Sequence, residues 1–234
     1  FMGTPEFSVP TLKLLLKSEH RILAVYSQPP TKAHRGQKIS SSSVENFAKK
    51  KALNVRTPLT LDSNEEYDFM KNLKPDIVVV IAYGKIIPKR FLNLAKHGFI
   101  NVHASLLPKW RGAAPIQRSI MNLDSETGIS IMKVVEELDA GPVMHQAKIA
   151  INENTDTQTL TQVLSQLGAK ALLDSISKIE NGKAKFKEQN HNQSTYAKKI
   201  SKSESKIEWN ESAKKVLAKI NGLNPNPGAW FEYK

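Results

Sequence analysis

Apolar residues recur with two different periods along this chain. Short runs rich in β-branched residues alternate with longer segments in which apolar residues return every three or four positions, the spacing of one helix face. The most apolar run, residues 76–83, presents apolar side chains to both faces, as a strand at the centre of a parallel sheet does. This alternation predicts an α/β fold with a doubly wound, mostly parallel sheet.

The same pattern places the individual elements. We expect strands at residues 1–2, 21–27, near 55, and at 76–83, 98–103, 128–135 and 143–151. We expect helices at residues 9–17, 43–52, 64–73, 114–121, 155–179 and 212–220, and a loop at 28–42. The strand at 98–103 should lie beside or near the strand at 76–83, and the last two strands should pair antiparallel.

Three polar side chains suited to catalysis lie at the ends of these predicted strands. Asn101 and His103 are two residues apart, so on a strand they project to the same face and can meet one reacting atom. Asp139 lies on a connection punctuated by glycine and proline. A single histidine in a strand is more often packed than catalytic, but the long turn with Pro108 and Gly112 favours a catalytic interpretation. Doubly wound sheets bind ligands at the carboxyl ends of their strands, so we expect the three side chains in one site.

Composition excludes several classes of function. The chain has no cysteine and its six histidines show no paired ligand spacing, so we expect no disulfide, no thiolate chemistry and no structural metal. No apolar run approaches the roughly 18 residues of a membrane span, and no signal peptide opens the chain. We therefore expect a soluble, cytoplasmic protein. A dinucleotide cofactor is not expected, because Gly3-Thr-Pro5 is not followed by the remaining glycines of a G-x-G-x-x-G motif.

The charge of the chain is strongly positive. Lysine and arginine total 34 against 22 acidic residues, which gives a net charge of +12. Half of this excess lies between Lys183 and Lys219, where ten lysines stand against four glutamates. Many lysine-rich surfaces are merely solvated, yet a field this concentrated would attract the phosphates of a polyanionic partner.

One sequence run identifies a family. Asn101-Val-His103-Ala-Ser105-Leu-Leu-Pro108, followed later by Asp139, resembles the signature of the folate-dependent formyltransferases. This resemblance implies a Rossmann-like formyltransferase fold and transfer of a formyl group from 10-formyltetrahydrofolate to an amine. The stretches Phe1 to Phe7, Ile81 to Gly84 and Trp110 to Arg118 are similar to family members whose acceptor is methionyl-initiator tRNA, which serves translation initiation. Leu223 to Trp230 resembles the passage into the family's C-terminal barrel, which implies that the barrel is truncated here.

The resemblance also implies roles for particular residues. Asn101 would donate its amide to the developing oxyanion. His103 would handle the proton as a base, or support the oxyanion as a cation, and Asp139 would orient His103 or relay a proton through water. The implied folate-contacting residues are Ser105, Leu106, Leu107, Pro108, Tyr83 and Gly84, with the turn at 105–108 acting mainly through its backbone. Arg35 and Lys38, in a basic loop that departs from the family pattern at several positions, would hold the tRNA acceptor end.

Three functions remain open from the sequence. The first is formyl transfer to methionyl-initiator tRNA, by a monomer with a catalytic domain at residues 1–182, a polar linker at 183–203 and the start of a truncated C-terminal domain at 204–234. The second is formyl transfer to an amino sugar nucleotide, which needs the same Asn, His and Asp but neither the basic loop nor the positive field. The third is a non-catalytic RNA-binding α/β module, which leaves those three residues unexplained.

Overall fold

A seven-stranded sheet forms the centre of the molecule in the computed structural model, which describes residues 1–33 and 38–233. The strands of this sheet are β1 (Met2–Gly3), β2 (Val25–Tyr26), β5 (Val55–Arg56), β6 (Val78–Ile81), β7 (Phe99–His103), β9 (Glu126–Lys133) and β10 (Val143–Ala150). Their order across the sheet is β10-β9-β7-β6-β1-β2-β5. Two smaller pairs are formed by β3 (Thr31–Ala33) with β4 (Lys38–Ser40), and by β8 (Arg111–Gly112) with β11 (Tyr196–Ala197).

Helices cover both faces of the sheet. They are α1 (Val9–Leu16), α2 (Ser43–Lys50), α3 (Asn64–Leu73), α4 (Pro115–Met121), α5 (Thr157–Glu180) and α6 (Ala213–Leu223). The longest, α5, packs against α1 and β9. At this contact Gly168 allows the helix to approach the sheet closely, because a Cβ there would lie 2.8 Å from Val102 Cγ1. None of the helices in the described part is long and apolar enough to cross a membrane.

The sheet is mostly parallel, as the sequence predicted. β5, β2, β1, β6 and β7 run parallel to one another, while β9 is antiparallel to both β7 and β10. The apolar strand β6 is the fourth of the seven strands and lies directly beside β7. Its central position explains its sequence, since all four of its side chains are buried. The doubly wound α/β fold, the neighbouring of β6 and β7 and the antiparallel pairing of β9 with β10 are all confirmed.

Two local predictions were wrong. The strand expected at residues 21–27 is only Val25–Tyr26, because its outer neighbour β5 supplies just two pairing residues. The expected loop at 28–42 contains the short antiparallel pair of β3 and β4, in which Thr31 pairs with Ser40. Strands of three residues are too short to show hydrophobic alternation, so the apolar pattern did not reveal them.

Candidate active site

His103 ends β7 with each ring nitrogen facing an oxygen atom of another residue. Its Nδ1 lies 3.6 Å from Asp139 Oδ2, and its Nε2 lies 2.8 Å from the carbonyl oxygen of Trp110. The imidazole is 6% exposed. A carbonyl oxygen only accepts hydrogen bonds, so Nε2 carries a proton and donates a hydrogen bond to the Trp110 carbonyl. A second proton on Nδ1 makes the ring a cation facing the Asp139 carboxylate, whereas without it the carboxylate meets a lone pair.

Asp139 is held on the loop between β9 and β10. Its Oδ2 accepts a hydrogen bond of 2.8 Å from the backbone N–H of Gly112, and its side chain is 15% exposed. Its backbone is left-handed, with φ of 49°, which is rare for a residue other than glycine. The structure therefore brings His103 and Asp139 together as the sequence predicted, with Gly112 as a third partner.

Asn101 lies on the same strand two residues before His103. β7 is enclosed by β6 and β9, where Asn101 is in register with Val80 and Met132, so its position is fixed by pairing on both sides. Its half-buried side chain makes no hydrogen bond to another residue of the described part. The amide therefore remains available to a substrate oxygen.

Hydrogen bonds from strands β9 and β10 hold the predicted folate-contacting turn at residues 105–108. Ser130 Oγ donates to the Ser105 carbonyl at 2.7 Å and accepts from the Leu107 N–H at 3.0 Å, while Gln146 donates to the Leu107 carbonyl at 2.8 Å. Ser105 and Leu107 are buried, whereas Leu106 and Pro108 are half-buried. Because Ser130 and Gln146 already use much of the turn's backbone, the surfaces left for a ligand lie more on the half-buried side chains.

Tyr83 and Gly84 follow β6 at the same edge of the sheet. The Tyr83 ring is 1% exposed and lies within the core, and its carbonyl accepts from Thr4 at 2.8 Å and Gln28 at 3.1 Å. Burial, with the Glu66 carboxylate as a second cause, raises the pKa of the Tyr83 phenol far above its usual value. Gly84 is exposed with φ of 81°, so its backbone is the accessible part of this pair.

A basic, partly aromatic groove of about 600 Å³ lies on the other side of Trp110. Its lining includes Trp110, Arg118, Tyr196, Lys198 and Lys199. Arg118 pairs with Glu204 and holds the pKa of that carboxyl below its usual range. The two lysines and the tyrosine are exposed. The groove thus places a positive, accessible surface beside Trp110, whose backbone carbonyl contacts His103.

Other predicted site residues lie at or beyond the limits of the described chain. Arg35 lies outside the described residues, and Lys38 begins β4. In the described part, no group of three or more acidic, histidine or cysteine residues has the geometry to hold a metal. Sequence reasoning noted Gly112 only as part of the turn and missed the other residues that hold the site, namely Ser130, Gln146 and Gln189. Single small or polar residues of this kind leave no pattern in a sequence.

The fold and this site define the class of the protein. A family model described as Formyl transferase matches residues 1–176, and one described as Formyl transferase, C-terminal domain, matches residues 199–234. The chain therefore belongs to the formyl transferase family, and the resemblance of the run at 101–108 is confirmed.

Two solved structures show the same fold. A 4-N formyltransferase from Francisella tularensis has a TM-score of 0.75 and 18% identity, over 99% of this chain and 90% of that one. An N-formyltransferase from Helicobacter canadensis, in complex with folinic acid and dTDP-3-aminofucose, has a TM-score of 0.74 and 21% identity, over 95% of this chain and 78% of that one.

Curated relatives are much more similar in sequence. The methionyl-tRNA formyltransferase of Pelagibacter ubique is 54% identical over 235 residues, which cover 100% of this chain and 76% of the relative. That of Bartonella henselae is 47% identical over 231 residues, covering 98% and 74%. Within its family, the chain belongs with the methionyl-tRNA formyltransferases.

Proposed function

We propose that this protein transfers the formyl group of 10-formyltetrahydrofolate to the amino group of methionyl-initiator tRNA, as a cytoplasmic monomer. The observation that carries the proposal is the convergence of Asn101, His103 and Asp139, with 3.6 Å between the imidazole and the carboxylate, at the edge of the sheet where doubly wound folds bind substrates. The 54% identity to a methionyl-tRNA formyltransferase supports the choice of acceptor.

Asn101 is suited to stabilise the oxyanion. When the amine attacks the formyl carbon, negative charge develops on the formyl oxygen, and a positioned amide N–H lowers the free energy of that state. The Asn101 side chain has no other partner among the described residues and faces the same side of β7 as His103. Removing one such donor typically costs about 3 kcal/mol of barrier.

The surroundings of the two ring nitrogens favour a cationic role for His103. Nε2 donates to the Trp110 carbonyl, and Nδ1 faces the Asp139 carboxylate at 3.6 Å, so a protonated ring is paired with that carboxylate whereas a neutral ring sets its lone pair against it. A protonated ring near the formyl oxygen would add to the stabilisation that Asn101 provides.

Asp139 is then the better candidate for proton relay. Its Oδ2 already accepts from Gly112, while Oδ1 has no hydrogen-bond partner in the described part of the chain. Oδ1 can accept the proton that the attacking amine loses, directly or through water, and the leaving folate nitrogen takes up a proton by the same route.

Substrate contacts follow from the surfaces around this unit. For the folate we propose the half-buried side chains of Leu106 and Pro108, the Gly84 backbone, and the supporting residues Ser105, Leu107 and Tyr83. For the tRNA we propose Arg35 and Lys38 at the acceptor end, with Lys198 and Lys199 attracting the phosphates. Residues 1–182 would form the catalytic domain, 183–203 the connection and 204–234 the start of the C-terminal domain.

A direct acceptor comparison tests the proposal. Purified protein with 10-formyltetrahydrofolate is offered methionyl-initiator tRNA or a dTDP-linked amino sugar, and formylated product is measured. We expect transfer to the tRNA, loss by orders of magnitude in His103→Ala, and little change in the matched control His145→Ala on β10. Transfer to the amino sugar alone, or full activity of His103→Ala, would overturn the proposal.

A further inference from the structure

Gln189 is the only buried residue in the otherwise open stretch of residues 183–196. It is 7% exposed, while each of its neighbours in this stretch is half-buried or exposed. A lone polar side chain is buried at low cost only when its hydrogen-bonding groups are satisfied. Both ends of the Gln189 amide are in fact occupied.

The two ends of the amide face opposite kinds of partner. Gln189 Nε2 donates to the carbonyl of Asp139 at 2.8 Å and to that of Gly141 at 2.7 Å. Gln189 Oε1 accepts from the Arg111 guanidinium, at 3.1 Å from Nε and 2.9 Å from Nη2. Carbonyls only accept and a guanidinium only donates, so this orientation of the amide is the one that satisfies all four contacts.

Arg111 is itself buried, with a side chain that is 0% exposed. Its charged partner is Glu137, whose Oε1 lies 3.2 Å from Arg111 Nη1 and whose side chain is 59% exposed. A buried guanidinium needs its donors matched, so Gln189 is a principal reason that this cation can lie beneath the loop. The residue after Arg111 is Gly112, whose N–H holds the Asp139 carboxylate.

These contacts hold both the side chain and the backbone of Asp139. Its carboxylate is held by Gly112, and the backbone around its left-handed bend is held by Gln189 at the carbonyls of residues 139 and 141. A left-handed conformation at aspartate persists when the surroundings over-determine it. The Gln189 amide supplies two of those determinants.

We infer that Gln189, oriented by Arg111, is a positioning residue that sets the approach of Asp139 to His103. The inference deepens the proposed function and rests on it for the catalytic part of its test. Gln189 does not touch the reacting atoms, so its loss should affect turnover more than substrate affinity. A displacement of about 1 Å at a catalytic group can cost on the order of 100-fold in rate.

The variant Gln189→Glu isolates this role. It keeps the size of the side chain and its contact with Arg111, but replaces the amide donor with an acceptor that opposes the carbonyls of Asp139 and Gly141. The matched control is Gln193→Glu, the same charge change on an exposed residue of the same stretch. We expect kcat to fall roughly 10- to 100-fold in Gln189→Glu, with KM for both substrates within about threefold, and no such change in the control.

A second measurement does not depend on turnover. The ring ¹⁵N chemical shifts of His103, assigned by their loss in His103→Ala, should move in Gln189→Glu and stay in place in Gln193→Glu. Gln189→Met, which removes both polar ends, serves if Gln189→Glu does not fold, and should move the same resonances.

The outcomes separate this inference from the proposed function. Unchanged His103 resonances and unchanged kcat in folded Gln189 variants would overturn the positioning role, as would a loss confined to KM. If wild-type protein formylates no methionyl-tRNA but the His103 resonances still move, the positioning role stands and the proposed function falls.

Discussion

Replacing Asp139 by asparagine keeps the size of the side chain but removes its charge and the Oδ1 proton acceptor of the proposed relay. The Asn oxygen can still accept the Gly112 N–H that Asp139 Oδ2 now accepts at 2.8 Å, so the loop should keep its anchor. The interaction between the carboxylate and a cationic His103 ring is lost together with that acceptor. At 3.6 Å and an effective dielectric constant of about 20, two unit charges attract by about 5 kcal/mol. If that attraction supports the transition state, turnover should fall by about three orders of magnitude.

The control for this prediction is Asp124→Asn. Asp124 accepts the Trp110 indole N–H at 2.7 Å and the Asn122 amide at 2.6 Å, so the same chemical change is made beside the catalytic loop without removing a charge at His103. Single-turnover formyl transfer under saturating substrates measures the chemical step for both variants. Asp139→Asn within tenfold of wild type, or an equal loss in Asp124→Asn, would refute the electrostatic argument and leave Asp139 as a structural anchor.

Three further predictions concern stability and binding. The pKa of Asp156 is lowered, chiefly by the hydrogen bond from the Thr159 N–H at the start of α5, so its stabilisation is present at neutral pH and is lost as pH falls through that lowered value. In urea denaturation we expect Asp156→Ala to cost about 1 kcal/mol at pH 7 and less at pH 3, while Asp156→Asn keeps the cap; a gap independent of pH would contradict this. Gly168→Ala should cost about 1 kcal/mol net, since the new methyl meets Val102 at 2.8 Å and the gain in helix propensity offsets only part of the overpacking; a raised urea midpoint would be the opposite result. Lys199→Ala should weaken tRNA binding and reduce the slope of log affinity against log salt by about 0.7 to 0.9, without changing folate affinity; an unchanged slope would remove Lys199 from the phosphate contacts.

Most of the fold could be predicted because the spacing of apolar residues marks strands and helices close to where the structure has them. The β-branched run became the central strand β6, and the helix expected at residues 64–73 is α3 (Asn64–Leu73) to the residue. Its start is marked by Ser63, whose side chain accepts from the Glu66 N–H. One failure lies near the outer edge of the sheet, where β2 and β5 pair over two residues, and the other is the separate β3–β4 pair; both involve strands too short to show a pattern.

Of the candidate site, only the three side chains proposed to act on the substrate could be predicted. Asn101 and His103 share a strand face, and Asp139 lies on a connection punctuated by glycine and proline, so each leaves a trace in the sequence. The distance of 3.6 Å between the imidazole and the carboxylate depends on contacts that have no local signature. Gln189 stands among polar residues and Arg111 among the charges of an ordinary turn, and nothing in the sequence shows that they meet in the interior.

The stretch that looked like a linker contributes directly to the geometry of the site. Thr195 accepts from the Arg111 N–H through its carbonyl at 2.8 Å and from the Trp110 N–H through its hydroxyl at 2.9 Å, and β11 pairs with β8 immediately beyond. The Trp110 carbonyl in turn accepts a hydrogen bond from His103 Nε2, and Gln189 donates one to the Asp139 carbonyl. Gln189 therefore supports Asp139 and Thr195 supports the turn that contacts His103, although His103 and Asp139 both precede residue 182. A boundary drawn from composition separates polar from apolar sequence, but the hydrogen bonds that orient His103 and Asp139 come partly from backbone and amide groups beyond that boundary, which polar segments supply.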